Sequence, residues 1–179
     1  MLVGAIATYT ATSAAERVRW RRAQAVRWDE KRLKAYSDYA DAIKKVISIA
    51  VRLAAFHGIH PDRDTLAPTE GLPMLAVAEE ERTLKFEPVL LLGGSQVVKA
   101  ARAWHHSTFR LQRIASGKST DFSWAEAVRA VSHTRREFYE AARRDLGIPD
   151  VEGTESFEWQ LAKLLPLPGD DSSDERLRG

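Results

Sequence analysis

The sequence predicts an all-α fold, an antiparallel bundle of four main helices with a very long first helix and a short C-terminal one. Three observations predict it. The stretch Glu16–His57 runs for about forty residues without Pro or Gly, and its second half carries apolar residues at alternating spacings of three and four. Glycine and proline fall where helix stops should, at Gly58 with Pro61, at Gly117, and at Gly147 with Pro149. Val89–Leu92 could be a short buried strand, but no second strand candidate exists to pair with it, so it is read as helix or turn.

The totals fit this class. A chain of 179 residues suits one domain, with 44% hydrophobic residues for a core and 29% charged residues for a surface. There are no cysteines, which excludes disulfides, thiol catalysis, Cys-ligated zinc and anchoring through a lipidated Cys. The formal charge of +2 is too small to imply nucleic acid by itself. Its distribution says more. Eight Lys or Arg face three acids between Glu16 and Lys34, whereas Gly169–Gly179 holds four acids and two Arg.

Residues 1–15 contain no charged side chain, and Arg17, Arg19, Arg21 and Arg22 follow at once. A spanning helix needs roughly 20 apolar residues, with ~17 near the lower limit. Here the positive charges follow the apolar run, the reverse of a signal peptide. Three readings remain open. The segment is a short membrane anchor with the Arg cluster on the cytoplasmic side, or it lies along a lipid surface or partner, or it forms soluble first turns packed on another copy. The first places the main body in the cytosol, and the expected location is therefore the cytoplasmic side of the membrane or the cytoplasm.

The first helix continues through Trp20, Trp28, Tyr36 and Tyr39. Its inner seam is Leu33, Tyr36, Ala40, Ile43, Ile47, Ala50 and Ala54. Glu30 with Lys34 and Asp41 with Lys45 are acid-to-base pairs four apart, each adding about 0.3 kcal/mol. Residues 57–68 form a loop. The second helix is expected to start near Pro73, with Thr69 or Gly71 close to its cap, and shows a weaker stripe of Leu75, Ala78, Arg82, Lys85 and Phe86. Pro88 is expected to kink or end it. Ser95 can cap a third helix reaching about Ala115, with Val97, Ala101, Trp104, Thr108, Leu111 and Ala115 inward. Ser123-Trp124-Ala125-Glu126 is a capping box that starts the fourth helix. Val128, Val131, Arg135, Phe138 and Ala142 mark its inner face. The bundle thus spans 16–148. Residues 149–165 form a linker and a short amphipathic helix bearing Phe157, Leu161, Leu164 and Leu165 on the outside of the bundle, and 166–179 form a disordered acidic tail.

Three segments together resemble a known group. They are Trp28-Asp-Glu-Lys-Arg-Leu-Lys-Ala-Tyr36, then Glu87-Pro-Val-Leu-Leu-Leu-Gly93 with Val98-Lys-Ala-Ala-Arg-Ala-Trp104, and Phe138-Tyr-Glu-Ala-Ala-Arg-Arg-Asp-Leu-Gly147. Their order and spacing are similar to a group of actinobacterial helical proteins, often with one N-terminal membrane helix before an Arg- and Trp-rich linker. The likeness covers most of residues 15–148. It implies a tethered bundle and supplies no catalytic residues. The short apolar front departs from the pattern.

The basic, aromatic stretch Arg17, Arg19, Trp20, Arg21, Arg22 and Trp28 is the strongest candidate site. Indole suits the membrane interface and guanidinium meets phosphate. The same residues could stack on and pair with nucleic acid, a weaker reading, or cover apolar helix surface with their long stems. A rival site for a small ligand lies between the third and fourth helices near Trp104, His105 and His133. No metal or cofactor is expected. His57 and His60 straddle Gly58, His105 and His106 point apart, and no Glu-x-x-His pattern occurs. Glu79-Glu80-Glu81 reads as a solvated helix face. Leu92-Gly93-Gly94-Ser95 could hold an anion on free backbone amides, although a helix start explains it as well. No hydrolase, P-loop or dinucleotide fingerprint is present. The sequence therefore leads to a non-enzymatic scaffold or interaction module, partnered by a membrane surface, a protein or a second copy. The alternative is a small-ligand or metal-binding bundle.

Overall fold

The computed structural model describes residues 2–59, 64–119 and 123–149, with side chains described from Arg27 onward. Four helices follow in order, α1 (Leu2–Phe56), α2 (Pro68–Leu92), α3 (Ser95–Ala115) and α4 (Trp124–Asp145), and no strand occurs among the described residues. Two helical hairpins, α1 with α2 and α3 with α4, pack together mainly where α1 meets α3. The backbones of α2 and α3 scarcely approach each other. Only Gly93 and Gly94 separate them in sequence.

At ~1.5 Å per residue, α1 is about 80 Å long. Its seam does what the spacing requires. Tyr36, Ala40, Ile43, Ile47, Ala50 and Ala54 are all buried. Ala35, Tyr39, Ala42, Val46, Ile49 and Leu53 are buried as well, because α2 covers one flank of α1 and α3 the other. Leu33 corrects the expected seam, being 52% exposed. It stands in the last layer of the bundle, where α2 terminates. There Arg32 Nε donates to the Leu92 carbonyl at 2.9 Å, at the negative end of α2. The roughly 45 Å of α1 before that layer extend past the end of α2.

One aromatic cluster joins all four helices. Tyr39 of α1 stacks against Phe86 of α2 at 5.4 Å and Phe138 of α4 at 5.5 Å. Trp104 of α3 lies 5.3 Å from Phe138 and edge-on to Tyr39 at 6.3 Å. The Tyr39 hydroxyl donates to the Ala101 carbonyl at 2.7 Å, so the polar end of the ring is satisfied inside the core.

The stop and start signals are mostly in place. Gly58, Gly117 and Gly147 adopt the left-handed conformation after α1, α3 and α4. Ser123 and Glu126 form the capping box at the start of α4, with both reciprocal hydrogen bonds present. Other boundaries move. α2 begins at Pro68, one turn before the expected Pro73, because proline at the first helical position needs no N–H and already has helical φ. Gly71 lies inside the helix and not at its cap. Pro88 does not end α2, which runs on to Leu92. The carbonyl that Pro88 leaves without a backbone donor belongs to Leu84, a residue that is 66% exposed. Ser95 is the first residue of α3 and not its cap. Gly94 holds that place without a side-chain hydrogen bond. The expected pairs on α1 also exchange partners. Lys34 bonds Asp38 at 3.0 Å, Asp41 bonds Lys44 at 3.1 Å, and Lys45 reaches across to Glu81 of α2 at 2.7 Å. The short C-terminal helix and the acidic tail lie outside the described residues.

Candidate functional site

Because the α2 and α3 backbones stay apart, side chains fill the seam between them. Glu79 is the centre of this filling. Its Oε2 accepts from Arg82 Nε at 2.7 Å and lies 3.4 Å from His105 Nε2, while Gln112 Nε2 bonds Oε1. Arg82 is buried, and its Nη2 donates to the Thr83 hydroxyl at 2.9 Å. Burial pushes the Glu79 carboxyl up, but hydrogen bonds from His105, Arg82 and Gln112 outweigh it and hold the pKa down to about 2. Glu79 is thus no part of a solvated acidic face, a correction to the reading of Glu79-Glu80-Glu81. Its neighbours do face outward. Glu80 is exposed and Glu81 meets Lys45.

Beside this cluster opens a cleft of about 490 Å³. Leu72, Leu75, Ala76 and Phe109 form its apolar walls, Glu79 and Gln112 its polar floor, and Arg113 and Lys118 its rim. Both oxygens of Glu79 are already occupied. The cleft therefore offers an incoming molecule an apolar wall and two rim cations, and no free acid or base on its floor.

A second polar cluster locks the opposite end of the α2–α3 connection. Asp145, the last residue of α4, accepts from the Tyr36 hydroxyl at 2.6 Å and lies 3.9 Å from Arg32 Nε. Its carboxylate lies so close to Gly94 that a Cβ there would collide with Oδ1. The expected anion position at the start of α3 is thus filled by the chain's own carboxylate, at the positive end of the helix dipole. One turn before Arg32, on the same side of α1, Trp28 is 42% exposed. Lys31 Nζ sits 4.8 Å from its ring centroid, and Arg27 is exposed beside it.

The predicted site residues separate accordingly. Arg17, Arg19, Trp20, Arg21 and Arg22 lie on α1, with side chains outside the described residues. Trp28 continues their helix at the mouth of the bundle. Trp104, His105 and His133 do not converge, which corrects the site expected between α3 and α4. Trp104 is fully buried in the aromatic cluster. His105 turns to Glu79 on α2. His133 lies on the outer face of α4, 3.5 Å from Glu137 and 3.3 Å from Arg136. The helical phase explains the parting, since adjacent α3 positions differ by about 100° and only the one facing α2 meets Glu79.

Among the described residues no group of three or more His, Asp or Glu could hold a metal ion. Among them, too, no helix is long and apolar enough to cross a membrane. Comparison with known proteins finds no matching family model, no matching curated protein and no matching solved structure.

Proposed function

We propose that this chain is a non-enzymatic helical interaction module that works through the front of α1, docking its basic, Trp-bearing face on an anionic membrane surface. The observation that carries this reading is Trp28, which sits on the buried-seam side of α1 yet stands open just past the last layer of the bundle, beside Lys31 and Arg27. An exposed indole among cations suits the headgroup layer. Arg17, Arg19, Trp20, Arg21 and Arg22 carry the same composition forward toward the uncharged residues 1–15. Each base near an anionic surface contributes ~1 kcal/mol, so the four-Arg cluster would account for several orders of magnitude in binding.

The test is sedimentation with vesicles of phosphatidylglycerol and phosphatidylcholine against vesicles of phosphatidylcholine alone. Binding should require the anionic lipid, fall when Arg17, Arg19, Arg21 and Arg22 are replaced by Glu, and weaken on deletion of Met1–Ala15. Equal, negligible sedimentation with both vesicles would refute it. A second copy is the other partner this helix could take, and sedimentation velocity in the absence of lipid separates the two.

The α2–α3 cleft favours a second reading, a small-ligand bundle. Its apolar walls and the cations Arg113 and Lys118 would suit an apolar anion. Such a ligand should raise the melting temperature whether or not Met1–Ala15 is present.

A further inference from the structure

The outer side of the α2–α3 hairpin carries two matching rows of side chains. On α2 the row is Glu80, Leu84, Glu87 and Leu91, and on α3 it is Arg102, His106, Phe109 and Arg113. Each row is spaced four, three and four, so its members project within an arc of about 60°. All eight residues are exposed, Leu84 at 66%, Leu91 at 82% and Phe109 at 47%. The α2 row lies opposite the buried Arg82 and Val89, and the α3 row opposite the buried Trp104 and Leu111. The cleft joins the rows on one side of the bundle. Phe109 and Arg113 form one wall of it, and Leu72 and Ala76, two turns and one turn before Glu80, form the other.

The charges of these rows are unspent. From Arg32 onward every base of α1, and both bases of α2, pair with a carboxylate at 2.7–3.5 Å. α3 holds four bases and no acid. Among the described residues Arg102 and Arg113 have no carboxylate partner, and Glu80 and Glu87 have no cation partner.

We infer that this side is a self-association surface, on which two copies pair about a two-fold axis parallel to the helices. Rotation about that axis lays α2 of each copy on α3 of the other, so one acid–base match is made twice. Heights along the axis are fixed within each copy, because Glu79 meets both His105 and Gln112. That register puts Glu87 level with the second copy's Arg102, and Glu80 between its His106 and Arg113. Leu84 and Phe109 supply the apolar contact. The two halves of the surface also select the occupant. A uniformly anionic partner, a lipid surface or a nucleic acid, is repelled by the Glu80–Glu87 half, whereas a second copy complements both halves. The surface is about 20 Å wide and roughly 29 Å long from Leu72 to Leu91, near 600 Å² per copy, so the dimer is weak and concentration-dependent. It does not involve the front of α1 and stands apart from the membrane reading.

The test is sedimentation equilibrium of the full chain without lipid. The parent should climb toward the mass of two chains between about 5 and 500 μM, and raised salt should reverse this. Two charge reversals follow, Glu80→Arg with Glu87→Arg, and Arg102→Glu with Arg113→Glu. Each places like charges across the axis and should weaken association at least about tenfold. Their equimolar mixture should restore the dimer, since both acid–base matches return in the mixed pair. Circular dichroism checks that each protein keeps its helix, and the salt response of the parent reads the pairing without any substitution. Four results overturn the inference: a parent that stays monomeric throughout, a parent dimer indifferent to salt, a dimer that both reversals keep, which would move the contact to α1, and a mixture no more associated than its components.

Discussion

Asp145, at the end of α4, accepts a 2.6 Å hydrogen bond from the hydroxyl of Tyr36, in the middle of α1. The same carboxylate abuts Gly94 at the start of α3, and Arg32 beside it serves the last carbonyl of α2. One side chain thus fastens three helices at the turn that joins the two hairpins. Asp145→Ala should destabilise the bundle by about 2 kcal/mol, because it strands a buried hydroxyl and removes an anion from the start of α3. Tyr36→Phe should cost about 1 kcal/mol, and the double variant less than the sum of the two. Urea titrations of the four proteins in this cycle measure the coupling, and strictly additive losses would show the bond to be idle.

The same residue predicts an alkaline limit. Burial raises the Tyr36 phenol well above its ordinary value, and the hydrogen bond and charge of Asp145 raise it further. Burial likewise raises Tyr39. A raised folded-state value means that the stability is complete below the unfolded tyrosine pKa of about 10 and drains away as pH climbs above it. Melting temperature should therefore be flat near neutrality and fall from about pH 10 upward. Tyr36→Phe should soften that fall. An unaltered alkaline slope in this variant would assign the limit to other groups.

Much of this arrangement was legible in the residues. The seam from Tyr36 to Ala54, the three glycine stops and the Ser123–Glu126 box are local signals, and each sits where local chemistry places it. The α2 helix resisted reading for a physical reason. It carries apolar residues on every side, with Met74, Val77, Leu84 and Leu91 exposed, so its stripe is weak, although Leu75, Ala78 and Arg82 of that stripe are buried as expected. The same stripe puts Glu79, four after Leu75 and three before Arg82, on the inner face, a consequence the reading of three solvated acids overlooked. The Glu79 partners Gln112 and His105 come from another helix, and no sequence spacing connects them. The basic front of α1 was legible as a charge cluster, Arg17, Arg19, Arg21 and Arg22, beside residues 1–15, which carry no charge.

Glu79 gives an acid limit of opposite sign. Its pKa is held down to about 2 against an ordinary value of 4.5, so its contribution is complete above 4.5 and is lost as pH falls from there toward 2. Glu79→Gln should flatten this part of the stability–pH curve. At neutral pH Glu79→Leu should cost more, about 3 kcal/mol, because the Arg82 side chain, only 10% exposed, would lose its carboxylate. Thermal melts between pH 2 and 7 check both. A Glu79→Leu protein as stable as the parent would mean that Arg82 finds water instead.

The core of α1 should not tolerate charge. Ile43 is fully buried and Ile47 nearly so. Ile43→Asp or Ile47→Asp places a carboxylate in the apolar core, at a cost exceeding ~4 kcal/mol, enough to unfold a domain of ordinary stability. Circular dichroism should show lost helix or a collapsed melting transition. By contrast Ser123→Ala removes only one end of a surface capping box and should cost about 1 kcal/mol, with the fold intact. Equal effects from the two kinds of change would mean that the core is not where the burial pattern puts it.

Gly71 is a case where two ordinary effects oppose each other and packing decides. It lies inside α2, where alanine is favoured over glycine by about 1 kcal/mol. A Cβ at this position would stand 2.5 Å from Leu53 Cδ2 and 2.9 Å from Leu53 Cγ, with Leu66 Cδ2 at 3.1 Å. Leu53 is fully buried on α1 and Leu66 is also buried, so neither can swing into open space. Overpacking of this kind costs about 1–3 kcal/mol, which outweighs the helical gain. Gly71→Ala should therefore lower stability despite improving the helix former, and Gly71→Ala combined with Leu53→Val should recover part of the loss by vacating the space. Denaturant midpoints for the pair decide it. A stabilised single variant would show that α2 can slide outward along α1 at no cost, and that the close approach at this end of the hairpin is not required.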